Sequence, residues 1–131
     1  MDIARKVAYW NDIADYDLET ARAMLVTSRW LYAVFMSQQA MEKALKAAFL
    51  ALERGDEPPR THNLSFLLDQ VDIGEDPNEV RDLAVRLSAY YIEARYPSYK
   101  EKLSTLVGRD EAVVVVDRTQ EAISWIRSHL K

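Results

Sequence analysis

The sequence predicts an all-α protein, folded as an up-and-down bundle of four to five helices in a single domain, residues 1–131. Its 131 residues include only three glycines and four prolines, too few for the frequent turns of an all-β domain. Strong helix formers dominate instead, and the balance of 49% hydrophobic and 29% charged residues is that of a globular protein. The length suits one domain with its own hydrophobic core.

Two long helices are predicted first. Apolar residues recur every three or four positions over about residues 2–27, the pattern of one buried helix face. Either Thr27 or Ser28 then provides an N-cap for a second helix, about residues 29–53. The second helix is apolar around most of its circumference, which favours a position in the middle of the bundle.

A loop and a short helix come next. One glycine and two adjacent prolines in ERGDEPPRTHN, residues 53–63, indicate a loop. The following LSFLLDQV, residues 64–71, predicts a helix of about two turns. His62, just before this helix, is typical of a residue that caps or hydrogen-bonds the loop, with catalysis as the less favoured alternative.

Two more helices complete the bundle. Asp76 is expected to be the N-cap of the fourth, with Pro77 at its first position, and the helix should stop near Arg95 because Pro97 disfavours helical geometry in the preceding residue. Residues 97–109 are expected to form a loop or a frayed connection. The β-branched run AVVVV continues in register with a helical stripe, which predicts that it opens the last helix.

Composition excludes several classes of function. The formal net charge of −4 lacks the basic surplus of proteins that bind nucleic acid tightly and non-specifically, although a local basic pocket remains compatible with it. The absence of cysteine excludes disulfides, thiolate nucleophiles and cysteine zinc sites. No apolar run approaches the roughly 20 residues of a membrane span, and the N-terminal residues lack the pattern of a signal peptide. We therefore expect a cytoplasmic protein without membrane association.

Motifs for metals, cofactors and common enzyme classes are missing. His62 and His129 lie in different elements, and neither belongs to a metal-binding spacing. The chain has no glycine-rich phosphate loop and no nucleophile elbow. The sequence thus predicts no metal and no cofactor.

A polar patch interrupts the second helix at QQAMEKALK, residues 38–46. Glu42 and Lys46 are four residues apart with the acid first, the favoured order for a helical ion pair. The favoured interpretation is a solvated face of the helix. The alternative is a polar seam against a second subunit or a ligand phosphate, with Lys43 and Lys46 supplying charge.

Aromatic rings surround an arginine in YYIEARYPSYK, residues 90–100. The helix dipole alone favours a cation such as Arg95 in a last turn. A guanidinium also makes forked contacts with phosphate, and the rings of Tyr96 and Tyr99 offer faces on which unpaired bases stack. Local physics leaves both interpretations open.

Three of these segments together resemble the prokaryotic HEPN domain family, in the nucleotidyltransferase-associated type. The segments are QQAMEKALKA at 38–47, PPRTHNLSFLLDQV at 58–71 and LSAYYIEARYP at 87–97. Their order and spacing match over nearly the whole chain, which would make residues 1–131 a single HEPN-like helical domain.

The resemblance implies a helical homodimer, often accompanied by a minimal nucleotidyltransferase in a toxin–antitoxin pair. Many relatives are metal-independent ribonucleases with an Arg-x(4–6)-His motif. Its arginine corresponds to Arg95, but the histidine has no counterpart, since positions 100–102 read Lys100, Glu101 and Lys102. Lysine is normally protonated and glutamate normally ionised at neutral pH, so neither replaces an imidazole without a large pKa shift.

The favoured hypothesis is therefore a homodimeric module that binds nucleotide or single-stranded RNA through its phosphate, or binds a nucleotidyltransferase partner, without cutting RNA. Its predicted ligand-binding residues are Arg95, Tyr96, Tyr99, Lys43 and Lys46. The alternative is a metal-independent ribonuclease toxin that uses Arg95 and His62. In a third hypothesis Arg-Tyr-Pro merely ends a helix and packs against a second copy. The position of His62 relative to Arg95 discriminates between the first two.

Overall fold

The computed structural model describes residues 2–95, 105 and 107–130, with the backbone alone for residues 92–95. The described part contains five helices and no strand, which confirms the predicted all-α bundle. The helices are α1 Ile3–Val26, α2 Trp30–Ala51, α3 Leu64–Val71, α4 Asn78–Arg95 and α5 Arg109–Ser128. AVVVV lies within α5, as predicted. None of the described helices is long and apolar enough to cross a membrane.

Helix α2 is the centre of the bundle, as its apolar circumference predicted. It packs against each of the other four helices, and 15 of its 22 residues are buried. Helix α1 forms its largest interface with α2 and buries the small side chains of Ala14 and Ala21 completely, which lets the two helices approach closely. A polar side chain in the middle of α2 therefore has little access to solvent on most sides of the helix.

The turn between α1 and α2 differs from the expected cap. Arg29 occupies the N-cap position of α2 and makes no side-chain cap hydrogen bond. The hydroxyl of Thr27 instead donates to the carbonyl of Ala23 at 3.1 Å, within α1. Ser28 has a φ of 61°, a left-handed conformation that reverses the chain. The predicted capping role of Thr27 or Ser28 is therefore wrong, because these residues close α1 and form the turn.

Helix α3 has the predicted bounds, whereas α4 begins one residue later than predicted. The carbonyl of Pro77 accepts from the backbone N–H of Arg81 at 3.2 Å, so Asn78 is the first helical residue. The carboxylate of Asp76 accepts from Nε and Nη2 of Arg81, each at 3.1 Å. Asp76 thus pairs with a side chain of the second turn. Apart from Thr105 and residues 107–109, the segment expected to be a loop at 97–109 lies outside the described residues.

The loop between α2 and α3 is attached to the bundle at several points. Arg54 donates from Nε to the carbonyl of Val71 and from Nη2 to that of Asp72, both at 2.9 Å. The backbone N–H of Leu64 donates to Ser88 Oγ on α4 at 3.2 Å. These contacts bring the end of the loop, with His62, into the angle between α2 and α4.

Candidate functional site

A buried carboxylate lies at the middle of α2. The side chain of Glu42 is 2% exposed. Its Oε1 accepts from Gln38 Nε2 at 3.0 Å and lies 2.8 Å from His62 Nδ1, and its Oε2 accepts from Lys46 Nζ at 3.0 Å. The predicted Glu42–Lys46 ion pair is confirmed. The interpretation of the patch as a solvated face is wrong for Gln38, Glu42 and Lys46, which are all buried because α2 is surrounded by other helices.

The hydrogen-bond network extends from Glu42 towards α1. Gln39 Nε2 donates to Gln38 Oε1 at 2.6 Å, and Lys43 Nζ donates to Gln39 Oε1 at 2.9 Å. The same ammonium lies 3.8 Å from Asp17 Oδ2 on α1. Each polar side chain of the patch therefore has a partner within the network, as buried polar groups require.

The network changes the acidity of its two carboxyl groups in opposite directions. Burial opposes the ionisation of Glu42, but hydrogen bonds from Gln38, His62 and Lys46 together outweigh it and lower its pKa. Burial raises the pKa of Asp17, and the nearby charge of Lys43 offsets this only in part. Glu42 is consequently an anion at neutral pH, held by donors on three sides.

His62 contacts this carboxylate and does not cap α3. The N-cap of α3 is Asn63, whose Oδ1 accepts from the N–H of Phe66 at 3.1 Å. Since ionised Glu42 has no proton to donate, Nδ1 of His62 must carry the hydrogen of their 2.8 Å contact. In the neutral imidazole the lone pair then belongs to Nε2, on the far edge of the ring. The side chain remains 54% exposed.

A stack of rings connects His62 with α4. The imidazole lies on the ring of Tyr91 with centroids 4.3 Å apart and planes inclined by 21°. Tyr91 is also stacked with Phe35 of α2, at 5.8 Å and 22°. Arg95 follows Tyr91 on α4 by four residues, about 6 Å along the helix axis. The imidazole is therefore packed against the helix that ends at Arg95, about one turn before that end.

Of the five predicted ligand-binding residues, two lysines are paired within the network and three residues have side chains that the structure does not describe. Lys46 is 7% exposed and its ammonium lies 5.4 Å from the ring centroid of Trp10, beside its ion pair with Glu42. The ammonium of Lys43 faces Gln39 and α1. Arg95 closes α4, but its side chain is outside the described structure, as are Tyr96 and Tyr99. A contact of these five residues with a ligand remains a prediction.

The described residues contain no group of three or more histidine or acidic side chains that could hold a metal ion. Sequence reasoning missed the contact between Glu42 and His62, and the role of Tyr91 beneath the imidazole. One signal pointed to them. A glutamate within a helix that is apolar on most sides needs a partner from another element, and the loop before α3 carries a histidine.

A second polar cluster lies between α4 and α5. Tyr90, which is 6% exposed, donates its hydroxyl to Glu111 Oε1 at 2.6 Å, and Arg86 Nη2 contacts the same oxygen at 2.5 Å. Burial and the hydrogen bond to Glu111 raise the pKa of Tyr90 to about 12. This cluster fixes α4 against α5 on a different side from the ring stack.

Solved structures with the same fold share about a quarter of their sequence with this chain. The crystal structure of TT1696 from Thermus thermophilus matches with a TM-score of 0.79 and 28% identity, covering 95% of this chain and 98% of that one. ST0689, described as an archaeal HEPN homologue, matches with a TM-score of 0.74 and 26% identity, covering 95% of this chain and 98% of that one. The HEPN domain protein TM0613 from Thermotoga maritima matches with a TM-score of 0.69 and 28% identity, covering 92% of this chain and 95% of that one.

The curated proteins include no significant match. The family model for the HEPN domain, in contrast, matches residues 7–129, which comprise all of α2 to α5 and most of α1. The motifs of the sequence, the five-helix fold and this match agree. The chain belongs to the HEPN domain family.

Proposed function

We propose that the protein is a homodimeric module that binds nucleotide or single-stranded RNA through its phosphate, at the end of α4. The observation that supports this most is the position of His62, held by buried Glu42 against Tyr91 one turn before Arg95. A buried ionic network is costly to assemble, and groups with shifted pKa values, such as Glu42 and Asp17, cluster at functional sites.

Arg95 is the proposed phosphate ligand. Its guanidinium makes forked, charge-assisted hydrogen bonds with phosphate oxygens, and Tyr96 and Tyr99 supply ring faces beside it. Lys43 and Lys46 are the proposed sources of supplementary positive charge, although the carboxylates of Asp17 and Glu42 neutralise part of it. In a protein of net charge −4, binding of this kind depends on a few well-placed cations.

Equilibrium binding of a short, fluorescent single-stranded oligoribonucleotide tests the proposal. Arg95→Ala should weaken binding about ten-fold or more, because a hydrogen bond to a charged group contributes about 1.5–3 kcal/mol. Arg5→Ala is the matched control, since Arg5 is an exposed arginine in the first turn of α1, at the opposite end of the bundle. Equal affinity of the wild type and both variants would contradict the proposal.

Exposed rings support the homodimer. Tyr9 and Tyr16 are 53% and 70% exposed and lie seven residues apart, on one outer face of α1. Exposed apolar surface marks an interface where it forms a contiguous patch, and these two rings are the proposed contribution of α1 to such a patch. Sedimentation at micromolar concentration should give the mass of two 15.1 kDa chains. If Arg95→Ala dissociates the dimer but leaves RNA affinity unchanged, the alternative holds in which Arg-Tyr-Pro only packs against a second copy.

A minimal nucleotidyltransferase is the proposed protein partner, on the strength of the family resemblance, in a toxin–antitoxin-like pair. Co-expression of this chain with a nucleotidyltransferase encoded beside it, followed by sedimentation of the purified mixture, tests for the complex. Two species that sediment independently would contradict this part of the proposal.

A metal-independent ribonuclease is the second candidate function, and the Glu42–His62 contact specifically favours it. With the proton on Nδ1, the Nε2 lone pair is available to accept the proton of a ribose 2′-hydroxyl. That oxygen would attack the adjacent phosphate while the bond from phosphorus to the 5′-oxygen breaks and Arg95 stabilises the added charge. The proton taken up by His62 Nε2 would then pass, directly or through water, to the leaving 5′-oxygen, giving a cyclic phosphate, a free 5′-hydroxyl and a neutral imidazole. Cleavage without metal that disappears in both His62→Ala and Arg95→Ala would establish this activity, and an intact RNA substrate with the wild-type dimer would exclude it.

A further inference from the structure

We propose that the outer face of His62 is a stacking platform for one unpaired nucleobase, which becomes the fourth ring of the stack of Phe35, Tyr91 and His62. This inference rests on the proposed function and adds a base subsite beside the phosphate contact of Arg95. In this proposal the base stacks on the imidazole of His62, which belongs to the loop between α2 and α3.

The geometry of the stack carries the proposal. Both ring pairs are close to parallel, with planes inclined by 21° and 22°, and the His62–Tyr91 centroid distance of 4.3 Å is that of direct stacking. Planar bases stack on aromatic side chains with little regard to sequence, because every base has a π-face. A further flat ring therefore continues an arrangement that already exists in the protein.

The accessible surface of His62 identifies which face is open. Tyr91 covers one face of the imidazole, and Glu42 occupies the Nδ1 edge. The side chain is nevertheless 54% exposed. Because one face and one edge of the ring are covered, this exposure belongs to the opposite face and the remaining edges of the side chain.

The imidazole is also held firmly enough to serve as a platform. Its orientation is fixed by a hydrogen bond to a carboxylate that is itself 2% exposed and held by Gln38 and Lys46. Tyr91 supports the ring from beneath. A binding group that is ordered before the ligand arrives loses little conformational entropy on binding.

The ring beneath the platform and Arg95 belong to adjoining turns of one helix. Tyr91 and Arg95 are separated by about one helical turn, a rise of roughly 6 Å along the axis of α4. The base subsite and the proposed phosphate ligand are therefore on the same stretch of α4. The site would take a nucleotide with any base, because every base has a π-face.

A comparison of AMP with ribose 5-phosphate tests the subsite, because the two ligands share the phosphate and differ by the base. Calorimetric titration of the wild-type protein should show tighter binding of AMP, by about five-fold to 150-fold, the range expected for stacking of one base. His62→Gln keeps a donor for Glu42 but removes the ring, and should abolish the advantage of AMP. His62→Phe keeps a ring and should retain most of that advantage.

Arg95→Ala separates this inference from the proposed function. It should weaken both ligands by the same factor and leave their ratio unchanged. Equal affinity of the wild type for AMP and ribose 5-phosphate would overturn the stacking platform while leaving the phosphate site intact. If neither ligand binds, or if Arg95→Ala changes neither affinity, the proposed function fails together with the platform. If the wild type shows no preference for AMP and His62→Gln dissociates the dimer, a second copy covers the ring and the platform is overturned.

Discussion

Replacement of Glu42 by glutamine should destabilise the protein strongly, because it removes the anion at the centre of the buried network. Glu42 and Lys46 are 2% and 9% exposed at their side chains, and the substitution leaves the ammonium of Lys46 without its opposite charge. Removing one partner of a buried ion pair costs about 3–5 kcal/mol. We expect about 3 kcal/mol, the lower end of the range, because the flexible stem of Lys46 lets the ammonium move towards water.

Urea unfolding at pH 7 measures this cost. With a slope of about 2 kcal/mol per molar urea, 3 kcal/mol lowers the midpoint of unfolding by about 1.5 M. Asp117→Asn is the matched control, since it removes a carboxylate from the exposed Arg22–Asp117 pair and should cost below about 1 kcal/mol. All variants must be compared at one protomer concentration, because the proposed dimerisation would contribute to the apparent stability.

A double variant separates the cost of an unpaired charge from the value of the pair. Glu42→Gln combined with Lys46→Met should recover much of the lost stability, because the buried ammonium is then absent as well. A cost for Glu42→Gln no greater than that of the surface control would refute the reasoning. The carboxylate would then be solvated, and the network would not hold His62 in place.

Three further predictions concern the same network, the α4–α5 cluster and the core. The folded-state pKa of Glu42 lies below its unfolded value of about 4.5, so its stabilisation is fully present above that pH and is lost as the pH falls through the folded pKa. The stability difference between wild type and Glu42→Gln should therefore shrink in urea unfolding as the pH falls below about 4.5, and a constant difference would contradict the assignment. Ultraviolet titration should show Tyr90 ionising at a pH of about 12. Its raised pKa contributes stability that is complete below pH 10 and is lost as the pH rises through about 12. Glu111→Gln should lower the pKa of Tyr90, because it removes the charge that opposes its ionisation. Leu50→Ala, at a fully buried position of α2, should cost about 2–5 kcal/mol, whereas Val85→Ala, at a position 60% exposed, should cost about 0.5 kcal/mol or less.

Hydrophobic periodicity predicted the helices of this fold well where no other sequence feature competed with it or where it extended over several turns. The amphipathic LSFLLDQV predicted α3 with its observed bounds, and the continuous stripe after AVVVV correctly outweighed β-branching. Caps were less predictable, because a capping side chain has competitors that the sequence does not rank. Asp76 binds Arg81, and Ser28 takes a left-handed turn conformation.

The candidate site was only partly predictable, for a physical reason. The Glu42–Lys46 pair follows from helical spacing alone and was predicted. The contact of Glu42 with His62 joins residues 20 apart, through a loop whose path depends on Arg54 and on the packing of α3. The same long-range packing buries the polar patch, which residue-by-residue polarity had indicated to be solvated.

The salt dependence of RNA binding tests most directly the central claim that Arg95 contacts phosphate. Each phosphate neutralised on a single strand contributes about 0.7 to the slope of log affinity against log salt concentration. Arg95→Ala should reduce the slope by about that amount for each Arg95 in contact with the strand, and Arg5→Ala should leave it unchanged. An identical slope for the wild type and Arg95→Ala would show that the end of α4 does not bind phosphate, and would contradict the account.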